Sequence, residues 1–128
     1  MKLYFILLIS TFFILVSCMS TTLIVKENTQ KEKYSIRKND LIKIILEANP
    51  STLYEWQIVY YDSSKVKIIN ESYIAKETKR DMEGSGGNKI YIIKAIDKGT
   101  TSIKLDYFRP FEKELPRLKD FSIIVNIK

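Results

Sequence analysis

Apolar and polar residues alternate along most of the chain after residue 20, which is typical of half-buried β-strands. The clearest run is FSIIVNIK at 121–128, where Phe121, Ile123, Val125 and Ile127 share one face. No 11-residue window shows a helical stripe of apolar residues. Eight runs are recognised in all, and they span approximately 22–26, 31–37, 41–47, 54–60, 65–75, 88–97, 101–108 and 121–128.

Short strands with a single apolar face predict an all-β, antiparallel β-sandwich of about eight strands. Besides the last strand, three runs assign their inward residues clearly. These inward residues are Ile42, Ile44 and Leu46; Tyr54, Trp56, Ile58 and Tyr60; and Ile103, Leu105 and Tyr107.

The connections between the predicted strands are of two kinds. RKND at 37–40 and DKGT at 97–100 are typical of tight turns, and Gly99 suits a positive φ. Three connections are longer or unusual in composition: 49–53, 76–87 and 109–118. They follow the third, fifth and seventh strands, and in alternating strands every second connection lies at the same end. We therefore expect these three loops to cluster at one end, with the chain start at the opposite end.

The N-terminus has the composition of an export signal. Lys2 precedes an unbroken apolar or small run at 3–16, which is short for a membrane span and typical of a signal peptide. LVSC, ending at Cys18, resembles a bacterial lipobox, which implies that Cys18 is lipidated. We thus expect a signal peptide at 1–17, the lipidated cysteine and a tether at 18–21, and one domain at 22–128. The protein is then an exported, membrane-anchored lipoprotein of the cell envelope; the alternative is plain secretion.

Composition excludes several kinds of chemistry. The 128 residues contain no histidine and one cysteine, so catalytic Ser-His-Asp or Cys-His groups and common zinc sites are excluded. The glycines at 84–87 open no helix and precede no Lys-Ser/Thr, so they do not form a phosphate-binding loop. Basic and acidic residues are interspersed, which disfavours nucleic acid as a partner. We expect a monomer that is not an enzyme and needs no cofactor or metal.

The three unusual connections carry motifs that resemble those of the chagasin family of cysteine-peptidase inhibitors. NPSTLYEW at 49–56 resembles the family's N-P-T-T-G-Y/F-x-W loop, GSGG at 84–87 its G-x-G-G loop, and RPFE at 109–112 its R-P-W-E loop. The motifs occur in the family's order, and the resemblance covers nearly all of 22–128. It implies an immunoglobulin-like sandwich that inhibits papain-like cysteine peptidases reversibly and tightly.

The resemblance also implies roles for the loops, which in that family form a wedge that enters the peptidase's active-site cleft. Residues 51–52 are then placed near the catalytic cysteine, 84–87 along one side of the cleft and 109–111 along the other. The inhibitory residues implied are Asn49, Pro50, Ser51, Thr52, Leu53, Tyr54, Gly84, Ser85, Gly86, Gly87, Arg109, Pro110 and Phe111.

Individual positions in these motifs carry further expectations. We expect Asn49 to brace its own loop through its side chain, and Trp56 to lie in the core. Two residues depart from the family's pattern: Leu53 replaces a glycine and Phe111 replaces a tryptophan. Leucine is costly if that position needs a positive φ. The alternative function is a non-inhibitory surface lipoprotein with an adhesive or structural sandwich, because a fold alone decides no function.

Overall fold

The computed structural model describes residues 17, 19–29, 32–76, 86–112 and 114–128. Within these residues eight strands form two four-stranded sheets, with strand orders β1-β3-β6-β5 and β2-β8-β7-β4. The strands are Thr22–Lys26 (β1), Lys33–Ile36 (β2), Leu41–Ala48 (β3), Glu55–Tyr60 (β4), Val66–Ala75 (β5), Gly87–Ala95 (β6), Gly99–Phe108 (β7) and Lys119–Ile127 (β8). The predicted all-β sandwich is confirmed.

The core lies between the two sheets and is filled by the inward faces of the alternating strands. Ile42, Ile44 and Leu46 of β3 belong to the same hydrophobic cluster as Ile103 and Leu105 of β7, and all five are fully buried. The inward residues predicted for β8 are buried as well. Burial of each such aliphatic side chain contributes about 1.5–3 kcal/mol, so strand periodicity alone specifies much of the core.

Two features of the sheets differ from a simple alternating sandwich. The edge strands β1 and β2 pair in parallel with β3 and β8, while the remaining pairs are antiparallel. The inward placement predicted for Tyr60 is wrong: its side chain is half exposed. The register of β4 against β7 shifts between Ile58 and Tyr60, and this bulge turns the end of the strand outward.

The end of the sandwich at which β1 begins is closed by tight turns. Gly99 has a φ of 134° and Asn39 a φ of 74°. The buried carboxylate of Asp40 accepts hydrogen bonds from the amides of Thr21 and Arg37, at 3.0 and 2.9 Å. These two bonds hold the pKa of Asp40 below its ordinary value. Asp40 thereby fastens the residue before β1 to the β2–β3 turn.

The described part of the chain contains no helix that is long and apolar enough to cross a membrane. Its only helical turns are single 3₁₀ turns at Glu27–Thr29 and Pro50–Thr52.

Candidate functional site

The described parts of the three unusual connections meet at one end of the sandwich, as the strand count predicts. Ala48 and Ala75, the last residues of β3 and β5, both pair with Gly87 at the start of β6. In the other sheet, Glu55 pairs with Phe108, so the start of β4 and the end of β7 lie side by side. β1 begins opposite Leu41, at the far end of β3. The loops and the start of β1 are therefore at opposite ends.

The connection at 49–53 forms a closed turn that is stabilised by its own polar groups. Asn49 caps the 3₁₀ turn through its side-chain oxygen, which accepts from the amide (3.2 Å) and the hydroxyl (2.6 Å) of Ser51. The Thr52 hydroxyl donates to the carbonyl of Asn49 at 2.7 Å. These bonds confirm the bracing role predicted for Asn49, and they fold the loop back on itself rather than leaving it extended.

Leu53 ends this turn in a left-handed conformation, with φ 65° and ψ 6°. Its amide donates to the carbonyl of Pro50 at 3.0 Å, which closes the turn. This conformation costs about 1–2 kcal/mol for a residue that has a Cβ atom. The condition under which a leucine is costly at this position is therefore met, and the strain is present in the folded protein.

Tyr107 joins the 49–53 turn to the sandwich. Its hydroxyl accepts a hydrogen bond from the amide of Asn49 at 3.1 Å. Its ring stacks on Tyr54, with centroids 5.5 Å apart, and lies against Trp56 at 5.0 Å. Trp56 is buried, as predicted, and its indole N–H donates to the carbonyl of Glu47 at 2.8 Å. The turn thus rests on a packed aromatic base.

Arg109 connects the third loop to the first. Its Nε donates to the carbonyl of Thr52 at 3.2 Å, and its guanidinium lies 4.7 Å from the centre of the Tyr54 ring. Its Nη1 is 3.3 Å from a carboxylate oxygen of Glu112. Because Arg109 makes three contacts within the chain, it braces the two loops against each other.

The two glycines of the second loop that the structure describes differ from each other. Gly86 has a φ of 74° and lies against the first loop, since a Cβ there would approach Asn49 Cβ to 3.6 Å. Gly87 is buried and belongs to β6, where it lies between β3 and β5. Three of the predicted site residues lie outside the described residues. They are Gly84 and Ser85, which were predicted to be inhibitory, and Cys18, which was predicted to carry the lipid.

The tip formed by the first and third loops exposes apolar side chains. Leu53 is 60% exposed and Phe111 is 86% exposed. Ser51 and Thr52, which are also exposed, lie between Pro50 and Leu53. An exposed apolar tip on a hydrogen-bonded base suits insertion into a cleft of another protein.

Sequence reasoning did not find all of the residues that support this tip. Lys119, at the start of β8, lies 5.2 and 5.5 Å from the ring centres of Tyr107 and Trp56, and bonds Glu27 at 2.9 Å. The second carboxylate oxygen of Glu27 accepts from the amide of Glu47 at 3.3 Å. Alternation marked Tyr107 only as a core residue, and no local pattern indicates a Lys–Glu pair separated by 92 positions.

Comparison with known proteins agrees with this geometry. Residues 35–125 match the model of a family described as chagasin family peptidase inhibitor I42. Amoebiasin-2 of Entamoeba histolytica is 36% identical over 114 residues, covering 87% of this chain and 92% of that protein.

Solved structures show the same fold. The crystal structure of the cysteine protease inhibitor EhICP2 from Entamoeba histolytica superposes with a TM-score of 0.77 at 33% identity, covering 85% of this chain and 97% of that one. The solution structure of Amebosin gives a TM-score of 0.66 at 26% identity and covers 86% of this chain and all of that one. The match over most of both chains confirms the predicted immunoglobulin-like fold class. The chain therefore belongs to the chagasin family of peptidase inhibitors, which confirms the predicted function of cysteine-peptidase inhibitor and the prediction that it is not an enzyme.

Proposed function

We propose that the three loops act together as a wedge that fills the active-site cleft of papain-like cysteine peptidases. The observation that carries this proposal is the bond from Arg109 to the carbonyl of Thr52, which joins two loops distant in sequence into one rigid tip. A rigid tip loses little conformational entropy when it docks, so more of the contact energy appears as affinity.

The wedge inhibits because it occupies the cleft without being cut. The backbone at 50–53 is a closed turn whose amides at Thr52 and Leu53 are bonded to the carbonyls of Asn49 and Pro50. A peptide bond held in such a turn does not lie extended across a catalytic cysteine, so it lacks the geometry for attack. In this complex Ser51 and Thr52 would lie near the catalytic cysteine of the peptidase.

The flanks of the wedge would contact the two walls of the cleft. On one side, Gly86 would present its backbone, which can approach a partner closely because glycine carries no side chain. On the other side, Phe111 presents an exposed ring to an aromatic or apolar wall. An interface of about 800 Å² on each partner is expected for such a complex.

Titration of papain and cathepsin L with residues 20–128 tests this proposal. We expect stoichiometric, reversible inhibition of a fluorogenic peptide substrate. Phe111→Ala should weaken inhibition roughly 10- to 100-fold, because an aromatic anchor is removed, while the fold is unchanged at so exposed a position.

Ile24→Ala is the matched control, because Ile24 is also an exposed apolar residue but lies on β1, away from the loops. It should inhibit as the wild type does. Absence of inhibition at micromolar concentrations of a folded protein would refute the wedge and favour a surface module with no inhibitory role.

We further propose that the protein is exported and held in a membrane of the cell envelope through lipid on Cys18. The apolar run at 3–16 followed by LVSC supports this assignment. Removal of residues 1–17 takes away Lys2 alone among the charges, so the mature charge is +6 − 1 = +5. Cys18→Ala should move the protein from the membrane fraction to the soluble fraction of the producing cells. Equal membrane retention of both forms would refute the lipid anchor.

A further inference from the structure

We propose that Leu53 is a specificity-determining residue: its side chain enters an apolar pocket beside the catalytic cysteine, so the protein selects peptidases that have such a pocket. This inference rests on the proposed wedge and assigns one class of target to it.

The conformation of Leu53 is the first argument. At φ 65° a glycine is unstrained, whereas a leucine is strained because its Cβ crowds the backbone. The Leu53 side chain itself offsets little of that strain by packing within the protein, because it is 60% exposed. A strained residue with an exposed apolar side chain at a functional tip indicates a role in binding.

The direction of the side chain is fixed before binding. The Leu53 amide is bonded to the carbonyl of Pro50, and the preceding carbonyl, that of Thr52, accepts from Arg109. The next residue, Tyr54, stacks on Tyr107. Bonds on both sides of Leu53 therefore hold its Cα–Cβ direction, and little backbone entropy is lost when the side chain docks.

The strain at Leu53 lowers the stability of the folded protein but does not change its affinity for a peptidase. Because the left-handed conformation is already present in the free protein, docking in the same conformation neither adds strain nor releases it. Leu53→Gly then relieves strain in the free and bound states equally. Any loss of inhibition caused by this change must come from the missing side chain or from a more mobile loop.

The chemistry of the side chain defines the partner. A leucine gains from an apolar pocket because it leaves water. In a pocket lined by charged or hydrogen-bonding groups it would leave those groups unpaired, which is costly. The expected targets are therefore papain-like peptidases that prefer apolar side chains in their substrates.

The test compares four proteins against a panel of papain-like peptidases whose preference for apolar or charged substrate side chains is first measured with peptide substrates. The proteins are the wild type, Leu53→Asn, Leu53→Met and the control Ile69→Asn. Asparagine has nearly the shape of leucine and tolerates a positive φ, but it is polar. Ile69 is half exposed on β5, so its change to asparagine repeats the chemistry away from the tip.

We expect Leu53→Asn to weaken inhibition about 10- to 100-fold for peptidases that prefer apolar side chains, and less than about threefold for the others. Leu53→Met should retain the wild-type pattern, because methionine is apolar and of similar volume. Equal loss across the panel, or no loss, would overturn the inference while leaving the wedge intact. A wild type that inhibits no member would overturn the proposed function itself.

Discussion

Gly87→Ala is expected to destabilise the fold by about 3 kcal/mol or more, the largest stability effect among the changes proposed. The added Cβ would lie 2.8 Å from Ala75 Cα and 2.7 Å from the hydroxyl of Tyr73, closer than such atoms approach in proteins. β6 cannot move aside, because it is paired with β3 on one side and β5 on the other. Urea unfolding followed by tryptophan fluorescence measures the loss.

Asn88→Ala is the matched control for that experiment. Asn88 is the next residue of β6 and is half-buried, and it already carries a Cβ, so the change adds no atom beside β5. Its effect should stay within about 1 kcal/mol. Wild-type stability of Gly87→Ala would mean that β5 and β6 are farther apart than their pairing implies.

Arg109→Ala is expected to weaken inhibition about 100-fold, the largest effect on function. The change removes the bond to the Thr52 carbonyl and the contact with the Tyr54 ring, so the first and third loops lose their mutual brace. Inhibition constants and dissociation rates are to be measured against the same peptidase. We expect the larger change in the dissociation rate, as is usual for changes within an interface.

Two further variants identify how Arg109 acts. Arg109→Lys keeps the charge but loses the planar group that bonds Thr52 and stacks on Tyr54, so it should behave nearly as the alanine variant does. Glu112→Gln removes only the exposed ion pair and should cost less than about threefold. Full activity of Arg109→Lys would show that Arg109 acts through its charge and not as a brace.

The strands and the loop cluster were predictable because their causes are local. Alternation places Ile42, Ile44 and Leu46 inward without knowledge of their partners, and strand parity alone brings the loops together. The motifs then indicated the family. The error at Tyr60 has a different cause, since a bulge depends on the register with β7, which the sequence of β4 does not reveal.

The contacts within the chain that hold the loops in place were not predictable in the same way. The sequence indicated Arg109 as a residue for the peptidase to contact, whereas the structure gives it partners in its own chain. The base under the first loop depends on Tyr107 and Lys119, which are distant from it in sequence. Such contacts depend on how the two sheets pack, and no short pattern encodes them. Strain at Leu53 was predicted only for the case in which this position has a positive φ, and the structure gives it a φ of 65°.

The parallel pairing of β1 with β3 has a mechanical consequence. A force applied between Thr21 and a peptidase bound to the loops would leave the domain near Asn49, so it would run along the strands. The hydrogen bonds that join Thr22–Lys26 to β3 would then be loaded together in shear instead of being opened one at a time. The two bonds that Asp40 accepts from Thr21 and Arg37 stand at the point where the force enters. The pairing of β1 with β3 would therefore resist a force that acts along the strands between the start of β1 and the loops.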